Sequence, residues 1–309
     1  MGSTWQMVII NILWALSLTG LAWYIGQTAL QITYVTLADG RQQERRLPLT
    51  FRLLLPLAPN LIPFFRRERF TKARTEINRR IIMAGYEGLL SGEEFFALRV
   101  LVPVIFGTLL AVAFGYLVAH MPDRMYRSFA SRQAFIYPLF YLLAFTWPGL
   151  WLQRSIRDRH RSIERALPFV LDLLTLSVEA GLDFMSAIKR IIERRKVDAL
   201  GEELIRAFRE VQLGRTRREA LRFMADRIGQ TDVGSVVSAL VQADELGVSI
   251  GNMLRIQSEL MRTRRFQRAE KLANEAPVKM LFPLTCFIFP SVFMVLLGPI
   301  IVQWMRAGL

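Results

Sequence analysis

Glu179-Ala-Gly181-Leu-Asp183-Phe-Met-Ser186 and Glu245-Leu-Gly247-Val-Ser249-Ile-Gly-Asn252 read as two copies of one helix–helix turn. A third copy, Gly214-Arg-Thr216, lies midway, so that Gly181, Gly214 and Gly247 are spaced 33 residues apart. Each glycine is followed two positions on by a short oxygen-bearing residue (Asp183, Thr216, Ser249) and seven positions on by an aliphatic one (Ile188, Leu221, Leu254). Glycine takes the left-handed conformation that ends a helix without a Cβ penalty. An Asp, Thr or Ser oxygen then accepts from the free N–H groups that open the next helix. The pattern predicts a tight helical turn, three times over. Two further breaks, near Lys196-Val-Asp198 and Gly229-Gln-Thr-Asp232, leave six helices at roughly 166–180, 184–195, 199–213, 217–228, 233–246 and 250–276. Three hairpins in an up-down bundle are expected. A helical solenoid is the competing reading of such a period. The closed bundle is preferred because both ends of the segment run into apolar stretches.

Those stretches lie at about 5–37, 100–119, 134–152 and 280–305, each long enough or nearly so to cross a bilayer as a helix. Charge between them is very uneven. Residues 38–99 hold twelve Lys/Arg and 153–279 hold twenty-four, against three in 120–133, none before Arg41 and only Arg306 after Lys279. Positive charge beside membrane segments stays on the cytoplasmic side. The fold class expected is therefore an all-α membrane protein with four transmembrane helices and a cytoplasmic six-helix bundle. The divisions are a membrane anchor over 1–37, a basic helical segment over 38–99, a transmembrane hairpin over 100–152, the helical domain over 153–279 and a last transmembrane helix over 280–309. Both termini fall on the outer side. The N-terminal run lacks a basic start and a small-residue cleavage site, so it reads as a retained anchor rather than a signal peptide.

In the basic segment, 52–65 is apolar but interrupted by Pro56, Pro59 and Pro63. It is expected to lie in the headgroup interface or to pack on the larger domain. An amphipathic basic helix follows over 66–84, stopped by Gly85. Ser91-Gly-Glu-Glu94 is a capping box that opens a helix leading into the second span. Pro138 and Pro148 should kink the third span.

The net charge of +14 invites a nucleic-acid reading. The cationic excess, however, sits where the positive-inside rule puts it, with no interleaved stacking aromatics, so no nucleic acid is expected as a partner. A lone Cys286 makes no internal disulfide. His120 and His160 have no neighbours at metal-ligand spacing. No phosphate-binding loop, dinucleotide fingerprint or nucleophile elbow is present. The chain is expected to be no enzyme and to need no cofactor. Asp172 and Glu179, seven apart, share one face of an otherwise apolar helix, and Asp244 and Glu245 close the fifth. Their readings are an ion pair with neighbouring arginines, a docking contact, or a paired-carboxylate site. Pro283, Pro290 and Pro299 recur through the last span, as simple kinks or as a flexible span packing against other subunits.

The run Leu167-Pro-Phe-Val-Leu-Asp172-Leu-Leu-Thr-Leu-Ser-Val-Glu179-Ala-Gly181-Leu resembles the opening of the cytoplasmic domain of type II secretion F proteins, as does Ala243-Asp-Glu245-Leu-Gly247-Val-Ser249-Ile-Gly251-Asn-Met-Leu. Arg268-Ala-Glu-Lys-Leu-Ala-Asn-Glu-Ala-Pro277-Val-Lys279-Met-Leu-Phe-Pro283, followed by Phe287-Ile-Phe-Pro290 and Leu297-Gly-Pro299, looks like the TadC branch, the inner-membrane platform proteins of the tight-adherence (Flp) pilus. The resemblance is strong over 160–303 and weaker over 40–100. It implies a scaffold that couples a hexameric secretion ATPase to extraction of an Flp-type pilin, beside a TadB-like second platform protein, in a homo- or hetero-oligomer. Only one six-helix domain is present, as in the short Tad type. If the three turns share the membrane-distal end, then Glu179, Gly181, Asp183, Gly214, Glu245, Gly247 and Ser249 form the ATPase-docking end. Asp172, Pro277, Pro283 and Pro290 are structural. A transporter or channel subunit is the runner-up, weakened by the scarcity of charge within the spans. A membrane-bound signalling kinase ranks third, since it would need a nucleotide signature.

Overall fold

The computed structural model describes residues 33–36, 42–45, 47–60, 62–65, 71–120 and 133–308. Within them the chain is helical apart from one antiparallel hairpin, Thr33–Thr36 (β1) with Gln42–Arg45 (β2), in which Thr33 faces Arg45. The expected anchor over 5–37 lies outside the described residues except for its end, and there the chain is strand. Thr33-Tyr-Val-Thr36 is β-branched or aromatic throughout, which suits a pleated ribbon better than a helix. The anchor helix therefore does not extend through Thr36.

Leu49–Leu54 (α1), a 3-10 turn over Leu55–Asn60 and Ile62–Phe65 (α2) form the proline-interrupted apolar stretch. It packs chiefly on the ends of the apolar helices. Phe51 stands edge-on to Phe95, Trp147 and Trp151, with ring centroids 6.4, 5.5 and 4.8 Å apart. Leu54, Ile81, Leu98, Val102 and Leu152 complete this smaller core. The segment thus braces the ends of the apolar helices that follow it. Thr71–Ala84 (α3) buries Ile81 completely and stops at Gly85, whose φ is 80°. Residues 66–70 of the helix expected there lie outside the described residues.

Ser91 and Glu94 form the capping box, and Gly92–Val102 (α4) continues through a π turn, Pro103–Gly107, into Thr108–Ala119 (α5). The chain returns in Gln133–Glu179 (α6), one helix of 47 residues running through Pro138, Pro148 and Pro168. A span over 134–152 and a separate helix from 166 were expected. They are continuous because 153–165 contains neither glycine nor proline, so nothing ends the first helix before the second starts. Phe114 meets Tyr137 and Phe140 edge-on across the α5–α6 hairpin. A Cβ at Gly107 would come within 2.7 Å of the Tyr141 ring, so this helix pair approaches too closely for any side chain there.

Phe184–Arg194 (α7), Ala199–Gln212 (α8), Arg217–Ile228 (α9), Thr231–Glu245 (α10) and Ile250–Pro283 (α11) follow. Leu171 on α6, Ile188 on α7, Leu204 on α8, Leu221 on α9, Val237 on α10 and Leu254 on α11 all belong to one buried core. Each such side chain contributes about 1.5–3 kcal/mol when fully buried. Each helix packs on the next, and α11 returns to pack on α6. An open solenoid would keep its first and last helices apart. Helix α11 then runs through a second π turn, Leu284–Ile288, into Phe289–Ala307 (α12). The prolines do not interrupt this helix: the π turn stands just before Pro290, where it takes up carbonyls that proline leaves unpaired, while Pro277 and Pro299 lie within regular helix. Among the described residues three helices are long and apolar enough to cross a membrane: Gly92–Val118, Phe135–Glu179 and Ile250–Ala307. Beyond Met261 the last of these stands clear of the core, with Phe266, Leu272, Phe282 and Trp304 all exposed.

Candidate functional site

The three glycine turns repeat in atomic detail. Gly181, Gly214 and Gly247 have φ of 89°, 100° and 66°. In each, the next residue's N–H returns to a carbonyl five residues back: Leu182 to Ser177 at 3.1 Å, Arg215 to Glu210 at 3.1 Å, Val248 to Ala243 at 2.9 Å. That is the Schellman closure, which satisfies carbonyls the helix leaves open. The Asp183 carboxylate accepts from the Met185 N–H at 3.0 Å. Thr216 and Glu219 cap reciprocally, and the hydrogen bonds from the Thr216 hydroxyl and N–H hold the Glu219 carboxyl below its usual range. Ser249 differs from the expected cap: it holds the N-cap position, but its hydroxyl makes no capping bond. Its ψ is 113°, against 147° and 148° at Asp183 and Thr216, and that rotation carries the hydroxyl off the N–H groups ahead.

The turns converge on one end of the domain. Arg217, just after the second turn, donates to Asp183 in the first at 3.3 Å. Arg218 approaches Asp244 and Glu245 before the third at 3.4 and 3.6 Å, and Arg222 donates to Glu245 at 3.0 Å. Gly251, after the third turn, sits against Val178 and Glu179 of the first. Glu179 pairs with Arg255 at 2.7 Å. Glu179, Gly181, Asp183, Gly214, Glu245, Gly247 and Ser249 therefore share this end, and each carboxylate among them carries an arginine. The surface is mixed in charge rather than acidic. Leu213 and Leu246, each immediately before its glycine, stand out from it at 80% and 77% exposure. Their shared register with the glycines is a signal visible in the sequence.

Asp172 is not at that end. It accepts from the Ser258 hydroxyl and from Arg262 at 2.8 Å, tying α6 to α11. Pro277, Pro283 and Pro290 lie along the exposed stretch of the long last helix, away from the turns. A larger ionic cluster starts near the opposite end and runs along α8 to the second turn, where Glu210 also pairs with Arg215 at 3.1 Å. Arg159 on α6 donates to Glu202 at 2.7 Å and Glu203 at 3.0 Å on α8, all three side chains under 10% exposed. Arg227 on α9 bridges Glu203 and Glu210 at 2.9 and 2.8 Å. Arg206 extends the chain to Glu87 beyond α3, and that hydrogen bond holds the Glu87 carboxyl below the usual glutamate range. Among the described residues no group of three or more His, Cys, Asp or Glu side chains is placed to hold a metal. What the arrangement offers is an end closed by three glycine turns, two of them capped by a side chain.

Residues 170–298 match the family model described as type II secretion system (T2SS), protein F. The match begins within α6, includes all three glycine turns and ends within α12, and it supports the type II secretion F family for this chain. No curated protein matches the chain, and no solved structure does.

Proposed function

We propose that the chain is a four-span inner-membrane platform protein of a tight-adherence (Flp) pilus machine, in the TadC manner, with an up-down six-helix cytoplasmic bundle and both termini in the periplasm. It acts as a scaffold without enzymatic activity. A hexameric secretion ATPase docks on the glycine-turn end, and its motion is passed to an Flp-type pilin in the membrane, beside a TadB-like platform protein. The observation that supports this most is continuity. Helices Gln133–Glu179 and Ile250–Ala307 each run without a break from the turn end into an apolar stretch of bilayer length. A force applied at the turns thus passes along continuous helix to the apolar stretches. Every helix end there is also fastened by a glycine closure or an ion pair.

The test is a pull-down of the ATPase with the Glu179→Arg, Glu245→Arg double variant, run beside a melting curve. Docking through these carboxylates predicts lost ATPase binding and lost piliation in a folded protein. If the two glutamates only hold Arg255 and Arg222, the double variant melts lower and binds whenever folded. Normal binding by a well-folded variant removes both residues from the interface. A transporter or channel reading predicts ion flux in liposomes, which a scaffold does not give.

A further inference from the structure

We propose that one face of α6, directly below its membrane segment, binds the headgroups of anionic phospholipids through Arg154, Arg157 and Arg161. The proposal rests on the membrane reading above. All three side chains are exposed, as is Arg165 one turn further on. At 100° per residue these four positions fall within an arc of about 80° on the helix. The intervening Arg159 points the other way, into its buried pairing with Glu202 and Glu203.

Pairing sets this face apart from much of the domain, although among the described residues Arg190, Arg194, Arg209 and Arg265 also hold no carboxylate. Arg217, Arg218, Arg222, Arg227, Arg255, Arg262 and Arg264 each hold a carboxylate. Among the described residues Arg154 and Arg157 hold none. Arg161 has only a loose approach to exposed Asp158, at 3.9 Å. The positive-inside rule accounts for the number of cations in this region, but not for their concentration on one arc without partners.

Position supplies the ligand. Trp147 and Trp151 close the apolar stretch of α6, packed against Phe51 in the small core, so the stretch itself, ending near Leu152, sets the membrane side of the helix. With 1.5 Å of rise per residue, Arg154, Arg157 and Arg161 follow Trp151 by about 4.5, 9 and 15 Å. Side chains on a helix lean toward its N-terminus, which for α6 is the membrane side. A long arginine stem therefore brings its guanidinium back toward the bilayer. All three charges then lie at the headgroups or within about 8 Å of them, the screening length at physiological ionic strength. Anionic lipid surfaces attract such juxtamembrane cations, and a guanidinium fork matches phosphate oxygens.

The experiment uses the full chain in nanodiscs of phosphatidylcholine alone or with 30% phosphatidylglycerol. Anionic lipid is expected to raise the melting temperature by on the order of 5 °C. Arg154→Gln with Arg157→Gln and Arg161→Gln should abolish that rise, the triple lysine variant should keep most of it, and Arg190→Gln with Arg209→Gln should leave it intact. No rise in the unaltered protein, or a full rise in the triple glutamine variant, overturns the proposal. So does an equal rise from inorganic phosphate in phosphatidylcholine discs, which would make the ligand a free anion. A chain that does not enter nanodiscs at all would instead overturn the membrane reading.

Discussion

At the residue scale the glycine turns and a single carboxylate make separate claims. A Cβ built at Gly181, Gly214 or Gly247 meets nothing within 4 Å, so any cost of substitution there is conformational rather than steric. Gly181→Val and Gly247→Val are expected to lose about 1–3 kcal/mol each, because a β-branched residue is forced to positive φ. Denaturant unfolding of the detergent-solubilised chain checks this, and unchanged midpoints in both variants would show that the turns tolerate side chains. Glu87 makes a pH claim. Its folded pKa lies below the ordinary 4.5 because it accepts from Arg206. Its contribution is therefore complete above that value and disappears as pH falls through the lower folded one. Between pH 6 and pH 3, Glu87→Gln should lose less stability than the unaltered chain. Identical acid profiles would mean that this pair does not act in the native state. The glycines were legible because a positive φ is a local demand with one common answer. Glu87 was not, since its partner lies 119 residues away.

At the scale of elements, the ionic cluster joining α6, α8 and α9 ranks above the pairs at the turn end. Removing one member of a buried pair strands a charge in a medium that solvates it poorly, at about 3–5 kcal/mol. Arg159→Met should therefore destabilise the chain by that order, since Glu202 and Glu203 lose a shared donor. Arg217→Gln, which removes an exposed partner of Asp183, should cost only about 0–1 kcal/mol. Melting curves of the two variants side by side test this ordering, and equal losses would contradict it. The breaks between helices were readable at Gly181, Gly214, Gly229 and Gly247, where glycine ends a helix. The length of α6 was not, because apolar residues give way to polar and charged ones at Gln153 with no change in the helix itself. Polarity changes a helix's surroundings, but only a residue that disturbs the backbone ends it.

For the whole molecule, the topology is testable without assuming any partner. In a Cys286→Ser background, Ser131→Cys is expected to react with an impermeant thiol reagent from outside intact cells, whereas Ser238→Cys should not. Labelling of Ser238→Cys from outside would reverse the orientation. The turns and three of the membrane-length runs were legible in the residues alone. Both are local: a glycine's φ and a stretch of some twenty apolar residues depend on nothing distant. The sequence also held the strand signal in Thr33-Tyr-Val-Thr36, lost beside a long apolar run. Packing alone reveals that α11 returns to α6, that the proline-rich stretch braces Trp147 and Trp151, and that Asp172 answers to Ser258 and Arg262. It also decides which arginines are satisfied and which are left facing outward. Charged side chains carry no period that names their partner, and a pair forms only where packing of the apolar core has already brought two distant segments within a few ångströms.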